Sequence, residues 1–205
     1  GSKKVNSSGS ADALVVTFPP MVADPAFRAG LRNHALRRVL LGSTSIYQRA
    51  VDCSQPVLTE TTPLKLDHAR LDIEQAVLDE GGHVVRLAGL YGGERNPVSW
   101  IRNGKVGYEK RQINLVHRDD VAAALLRLLA LPNLEPVYNL ADGQRHTWRQ
   151  IIDALVAAGH LEPMEPRPPK KADAFVDPSR VLAALPGFAF RDCFAELDRL
   201  AREAP

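Results

Sequence analysis

Residues 38–47 read RVLLGSTSIY, and this stretch decides the fold class of the chain. The run from Val39 to Leu41 is apolar, and Gly42 and the polar residues 43–45 are typical of a loop. The stretch therefore predicts a buried strand that ends at a turn. Further short apolar runs occur at residues 13–18, 83–87, 113–116 and 137–140. Strands with continuous rather than alternating apolar residues are typical of a parallel sheet covered on both faces.

Helical patterns separate these strands. Asp24 and Thr147 are predicted to cap two of the helices, because their side chains accept hydrogen bonds from the free amides of a first turn. Periodicity and end signals predict helices over residues 25–36, 66–80, 97–102, 119–131, 148–158, 178–185 and 191–204. The alternation of strand and helix predicts an α/β fold.

The length of 205 residues and the 45% share of hydrophobic residues suit one main domain. Residues 1–10 are polar and serine-rich and resemble a tag or linker. We expect residues 11–160 to form the core, including any insertions that belong to a substrate lobe. Residues 163–171 are rich in proline and charge, so residues 161–205 are predicted to form a small C-terminal lobe.

Composition argues against several classes of function. A net charge of +2 gives no large field for binding nucleic acid or acidic membranes. No apolar run approaches the roughly 20 residues of a membrane span, and the N-terminus lacks a signal-peptide core. Cys53 and Cys193 show no Cys-x-x-Cys spacing, and the histidines are scattered, so we expect no disulfide scaffold and no metal site. A cytoplasmic location is the default expectation.

Four segments together carry a resemblance to a known family: residues 40–47, 85–92, 113–122 and 137–143. In this order and at these separations they resemble the extended short-chain dehydrogenase/reductase family, the NAD-dependent epimerase/dehydratases, and especially its atypical members. The resemblance covers about residues 11–197. It implies a Rossmann-like parallel sheet, NAD or NADP as cofactor, and a small-molecule substrate.

The resemblance also exposes a difference at the N-terminus. It would make residues 13–18 the fourth strand of the family's sheet and residues 38–41 the fifth, so the first three strands have no counterpart. In the family those strands carry the glycine-rich loop that receives the pyrophosphate. Gly89, Gly92 and Gly93 do not replace that loop, because the helix after them lacks the required spacing. We expect a homodimer or a complementing N-terminal segment to cover the exposed edge at residue 13.

The resemblance implies several catalytic positions, and this chain has the family's residue type at some of them and not at others. Ser43 stands where the family has a Ser or Thr that binds the substrate oxygen; its alternative role is that of a turn residue. Leu66 and Arg70 stand where the family has the tyrosine and lysine of its proton-donating pair. Tyr47 is a candidate replacement donor, although its place in the motif is usually structural. His68 is a second candidate, with a plain surface histidine as the alternative.

Binding residues are expected on loops at the carboxyl ends of the strands. The candidates for cofactor binding are Thr17, Phe18, Pro19, Ser43, Arg70, Leu87, Ala88 and Gly89. The candidates for substrate binding are Tyr91, Arg95, Trp100, Asn114 and His117. Three of these have structural alternatives: Trp100 as core, Asn114 as a residue that bonds the backbone of a turn, and His117 as a helix-start lock with Asp120.

Two hypotheses of function follow. The first is an atypical NAD(P)-dependent oxidoreductase or epimerase-like enzyme whose activity, as the chain stands, is in doubt because the Tyr-x-x-x-Lys pair is missing. The second is a non-catalytic binding or scaffold protein of the same fold that acts through a partner or a homodimer.

Overall fold

The computed structural model describes residues 11–17, 23–49, 57–168 and 174–203. The first half of the chain contains β1 (Ala11–Val16), α1 (Pro25–His34), β2 (Ala35–Ser43), β3 (Val57–Leu58), α2 (Leu71–Asp79), β4 (His83–Leu87), β5 (Gly89–Tyr91) and α3 (Pro97–Arg102). The second half contains β6 (Gln112–Ile113), β7 (Leu115–His117), α4 (Arg118–Ala130), β8 (Val137–Leu140), β9 (His146–Thr147), α5 (Trp148–Ala157), β10 (Phe175–Val176), α6 (Ser179–Ala184) and α7 (Cys193–Glu203).

A four-stranded parallel sheet forms the centre of the fold, in the order β1-β2-β4-β8. Its two faces are both covered, which explains the continuous apolar runs. Val39 and Val85 point into one core cluster, whereas Leu40 and Val84 point into another beneath α1 and α2. The prediction of an α/β fold with a parallel, Rossmann-like sheet is confirmed.

The start of β2 differs from the sequence prediction. The helix expected over residues 25–36 ends at His34, and β2 begins at Ala35 instead of Arg38. The reason is the pairing with β1, whose register joins Ala11 to Ala35. The predicted cap of α1 is present, because the Phe27 amide donates a hydrogen bond of 2.7 Å to Asp24 Oδ1.

The start of α2 also differs. The helix predicted from Leu66 begins at Leu71, and Leu66 lies in a turn with 89% of its surface exposed. Residues 63–65 are held in an extended segment by hydrogen bonds to the backbone of Ile46 and Gln48, and Leu64 bridges Tyr47. Because these contacts are distant in sequence, the apolar periodicity did not reveal them.

Three short strand pairs complete the core. β3 pairs in parallel with β10, β5 pairs in parallel with β7, and β6 pairs antiparallel with β9. The strand predicted over residues 113–116 is divided at Asn114 between β6 and β7. The Asn114 side chain accepts from the Val176 amide at 2.7 Å and donates to the Ala174 carbonyl at 2.8 Å, so Asn114 links this break to β10.

The C-terminal helices pack on the core. α6 lies against β8, and α7 lies against α3 and α5. Across the described ranges, no helix combines the length and the hydropathy that crossing a bilayer requires. The division into a core and a C-terminal lobe at residue 160 stays a prediction.

Candidate active site

A cleft of about 370 Å³ opens at the carboxyl ends of β2 and β4. This is where ligands of open parallel α/β sheets bind. Its lining comprises Gly42, Ser43, Thr44, Ser45, Arg49, Arg70, Leu87, Ala88, Gly89, Leu90 and Arg95. Six of the predicted site residues therefore meet here: Ser43, Arg70, Leu87, Ala88, Gly89 and Arg95.

A second cleft of about 210 Å³ lies beside the first and shares Thr44, Arg49 and Gly89 with it. Gly89 has a steric role at this junction. Its amide donates to the Asn114 carbonyl at 2.8 Å, and a Cβ at this position would lie 2.9 Å from that oxygen. Only glycine fits here without moving the backbone, so the close approach of β5 to Asn114 depends on it.

A chain of hydrogen bonds runs from the cleft to His68. Ser43 Oγ lies 2.9 Å from Ser45 Oγ, and Ser45 Oγ lies 3.1 Å from His68 Nε2. His68 Nδ1 accepts from the Arg70 amide at 3.2 Å. An amide only donates, so the neutral ring carries its hydrogen on Nε2 and donates to Ser45.

Ser43 Oγ also accepts from the Ser45 amide at 3.2 Å. Between the two hydroxyls, either oxygen can be the donor. When Ser45 donates to Ser43, the hydroxyl hydrogen of Ser43 is free to bind a group in the cleft. Burial and the nearby Lys65 and Arg70 lower the pKa of His68, which favours this neutral ring.

Positive charge dominates the rim of the larger cleft. Arg49, Arg70 and Arg95 line it, and its described lining contains no carboxylate. Guanidinium groups bind phosphate and carboxylate oxygens through paired hydrogen bonds. The cleft therefore suits an anionic ligand.

The smaller cleft has an aromatic wall. Trp100 and Trp148 meet edge to face, with ring centroids 6.5 Å apart, and Ile113, Asn114 and Arg111 complete much of the remaining lining. Trp100 thus lies where a substrate residue was predicted. Asn114 also lines this cleft, but its amide group is engaged by the backbone of residues 174 and 176. The alternative of a backbone-bonding residue is therefore the one that its contacts favour.

Two of the predicted substrate residues, Tyr91 and His117, lie in the core and line neither cleft. Tyr91 is 1% exposed and His117 is 3% exposed, and their rings meet edge to face. His117 caps α4, because its Nδ1 accepts from the Asp119 amide at 3.2 Å. Asp120 instead binds the backbone and side chain of Arg191. His117 is a helix-start residue, as its structural alternative predicted, but without Asp120 as its partner.

Tyr47, the candidate replacement proton donor, lies in the core and lines neither cleft. Its side chain is fully buried, and its hydroxyl donates to Asn139 Oδ1 at 2.6 Å. Burial raises the pKa of Tyr47, which further disfavours proton exchange. Tyr47 therefore supports the turn behind Ser43 and does not reach a ligand.

Behind the cleft, a buried ion pair joins α2 to β4. Arg86 donates from Nε to Glu74 Oε2 at 2.9 Å, and its guanidinium carbon lies 4.8 Å from the centre of the Tyr47 ring. Burial raises the pKa of Glu74, and the guanidinium of Arg86 counteracts that effect. A Cβ on Gly42 would overlap Glu74 Oε1, so the glycine lets α2 approach the sheet.

The remaining predicted residues have other positions. Thr17 is exposed just after β1 and is not part of the lining of either cleft. Phe18 and Pro19 lie outside the described residues. Leu66 does not line either cleft.

Sequence reasoning missed Arg49 and Arg111 as lining residues. Thr44, by contrast, belongs to the predicted ligand-binding loop of residues 43–45, and its hydroxyl donates to the Leu87 carbonyl at 3.2 Å. The two arginines had no such signal, because only the folded chain brings residue 49 beside residue 111.

Similarity to known proteins bears on the function of these clefts. No family model matches the chain. The chain is similar to protein YeeZ of Escherichia coli strain K12, with 29% identity over 150 residues that cover 63% of this chain and 53% of YeeZ. It thus spans about half the length of the curated relatives it matches.

Solved structures share the fold over almost the whole chain. A conserved protein of unknown function from Silicibacter pomeroyi has a TM-score of 0.73 and 23% identity, covering 98% of this chain and 81% of that one. The enzyme WbmH of Bordetella bronchiseptica, solved with NAD+, has a TM-score of 0.73 and 20% identity, covering 95% of this chain and 76% of its own. The chain has the fold of the NAD-dependent epimerase/dehydratases. At the level of the fold, the resemblance to the extended short-chain dehydrogenases/reductases is confirmed. In this epimerase/dehydratase fold, the cleft at β2 and β4 is the candidate active site.

Proposed function

We propose that the protein binds NAD or NADP in the cleft at β2 and β4. In this proposal it acts as an oxidoreductase or epimerase of atypical type on a small anionic molecule. The observation that carries the proposal is the position of Ser43, whose hydroxyl faces the cleft beside Arg70 and Arg95. A hydrogen-bond donor and cationic groups at the carboxyl end of parallel strands suit a phosphate-bearing ligand.

The lining residues fit the cofactor's chemistry. Arg70 would hold a ribose or phosphate oxygen, and the strand-end segment from Leu87 to Gly89 would border the cofactor without a bulky side chain at residue 89. NAD(P) supplies a hydride donor and acceptor when bound. That WbmH was solved with NAD+ supports the choice of cofactor class.

Ser43 would bind the reacting oxygen of the substrate. When Ser45 donates to Ser43, the Ser43 hydroxyl would be free to donate to a carbonyl oxygen and stabilise the negative charge that develops there. Ser45 and His68 are positioning residues in this scheme, because Ser45 is hydrogen-bonded to Ser43 and His68 to Ser45.

The described lining of the two clefts contains no tyrosine. Leu66 occupies the tyrosine position of the resemblance, and Tyr47 is buried. The proposal therefore assigns the contact with the substrate oxygen to Ser43 alone and gives no role to a phenol.

A titration of NADH and NADPH, followed by the fluorescence of the reduced nicotinamide, tests the proposal. It uses the 205-residue chain. We expect binding tighter than about 1 mM, the upper end of common Michaelis constants. Arg70→Gln should weaken it by about 10- to 100-fold, because a charge-assisted hydrogen bond contributes roughly 1.5–3 kcal/mol.

Arg202→Gln is the matched control. Arg202 is 70% exposed on α7 and does not line either cleft, so its loss should leave cofactor affinity unchanged. The proposal fails if neither cofactor binds the chain at this concentration, or if the two arginine variants lose affinity equally.

The comparisons give no support to the alternative of a non-catalytic scaffold.

A further inference from the structure

A second polar cluster lies between the end of β8 and the start of α7, and none of its members is in the lining of either cleft. Its members are Asp142, His146 and Cys193. One ligand atom from each residue lies within 4.8 Å of the others, and Asp142 Oδ2 is 4.0 Å from His146 Nε2. Asp142 and Cys193 are 7% and 2% exposed, and His146 is half-buried.

Two of the three facing atoms lack hydrogen bonds in the described chain, whereas the Cys193 thiol is hydrogen-bonded to the side chain of Tyr91. Asp142 Oδ1 accepts from the Gln144 amide at 3.0 Å, but Oδ2 has no hydrogen-bond partner among the described residues. His146 Nε2 is likewise without one in the described chain. A buried polar atom without a hydrogen-bond partner costs about 1–3 kcal/mol, so a ligand that engages both atoms would relieve that cost.

The three residues are fixed by separate elements. The Asp142 amide donates to the Leu115 carbonyl at 2.9 Å, His146 pairs with Ile113 in β9, and Cys193 begins α7. The ring of Phe194 meets His146 edge to face with centroids 4.9 Å apart. The imidazole is thus packed on one side while its Nε2 faces the carboxylate.

From this geometry we propose that Asp142, His146 and Cys193 bind a zinc-class divalent metal ion. A thiolate, an imidazole and a carboxylate are ligands that Zn²⁺ takes together. Bonds of about 2.0–2.3 Å at tetrahedral angles place ligand atoms about 3.5 Å apart, so modest side-chain rotations close the site. Three protein ligands leave a fourth position for water.

Zinc binds the thiolate form of cysteine, so binding at this site would release the thiol proton of Cys193 and would weaken at low pH. Bound metal would also tie α7 to the loop after β8, which stabilises the packing of the C-terminal helix.

Histidine spacing predicted no metal site, because the three proposed ligands are not close together in the sequence. Asp142 and His146 are four residues apart, but Cys193 is 47 positions beyond His146 in the sequence. Only the packing of α7 against the core brings the thiol to the other two groups.

Titration with Co²⁺ tests the site, because a thiolate bound to Co²⁺ gives a charge-transfer absorption band. In the reduced 205-residue chain we expect the band to saturate at one equivalent and to vanish when Zn²⁺ is added. Zn²⁺ should also raise the melting temperature, and a chelator should reverse the rise. Mg²⁺ should have neither effect, because it prefers oxygen ligands.

Matched variants separate this site from other thiols. Cys193→Ser should abolish the band, whereas Cys53→Ser should retain it. His146→Gln and Asp142→Asn should each weaken Co²⁺ affinity at least tenfold, with Asp153→Asn on the exposed face of α5 unchanged; circular dichroism confirms folding of each. No band in the parent chain, or a band that Cys53→Ser removes, overturns the proposal. The test does not depend on NAD(P) binding, so it stands apart from the proposed function.

Discussion

Two of the buried polar clusters in the described chain differ in how their charges are matched. Glu74 and Arg86 form an ion pair of opposite charge, joined at 2.9 Å behind the candidate active site. Asp142 faces a thiol and an imidazole; its Oδ2 has no hydrogen-bond partner in the described chain, and His146 Nε2 lies 4.0 Å from it. A buried charge costs less when a full counter-charge lies beside it than when only neutral groups do. The ion pair is therefore interpreted as structural, and the Asp142 cluster is the one proposed to bind a ligand.

The largest expected effect breaks the matched pair. Glu74→Gln leaves Arg86 buried and charged without its partner, so we expect the free energy of unfolding to fall by about 3–5 kcal/mol. Urea denaturation followed by circular dichroism measures the change. Asp79→Asn, on the same helix but 46% exposed in its pair with Arg28, should change stability far less, because water screens an exposed ion pair.

The double variant Glu74→Gln with Arg86→Met sharpens this test. Because neither charge then remains, part of the lost stability should return. If the double variant is as unstable as the sum of the two single variants, the pair is not what stabilises this part of the core.

At the Asp142 cluster we expect a charge-removing substitution to raise, rather than lower, the free energy of unfolding. At pH 7, with metal removed by a chelator, Asp142→Asn replaces a buried carboxylate by a neutral group of the same shape. We expect the free energy of unfolding to rise by about 1–3 kcal/mol. The same denaturation experiment measures it, and added Zn²⁺ should reverse the order by stabilising only the parent chain.

Asp153→Asn is the control for that variant, because Asp153 is 54% exposed and its loss should change stability little. A clear loss of stability in Asp142→Asn under chelation would show that the carboxylate has a favourable partner, and the contrast between the two clusters would then be wrong.

The parts of the fold that depend on local sequence patterns could be predicted. The apolar runs predicted β4 and β8 at their observed bounds, and Thr147 caps α5 as expected, with Gln150 completing the capping box. These are local patterns. Ser43, Leu87 and Gly89 were placed at the cleft because the carboxyl ends of parallel strands share one edge.

Contacts between distant residues explain the failures. The late start of α2 depends on the bridge from Leu64 to Tyr47, and the pairing of β3 with β10 joins residues more than a hundred positions apart. Tyr91 was predicted at the substrate because its motif is near a strand end, but α7 covers it with Cys193. None of these contacts leaves a periodicity in the sequence.

The smallest effect concerns His68, whose half-exposed position contrasts with both buried clusters. Burial lowers its pKa below the ordinary value of 6.5, and the charges of Lys65 and Arg70 lower it further. A histidine with a lowered pKa in the folded state stabilises the fold fully above pH 6.5, and this contribution is lost as the pH falls through the lowered value.

An NMR titration of the ring protons, assigned with His68→Gln, should give a midpoint below 6.5. Lys65→Gln should raise that midpoint by only part of the difference, since burial is the larger cause, whereas Lys105→Gln should leave it unchanged. A midpoint at or above 6.5 would mean that the ring is not held neutral, and the role of His68 as a positioning residue would lose its basis.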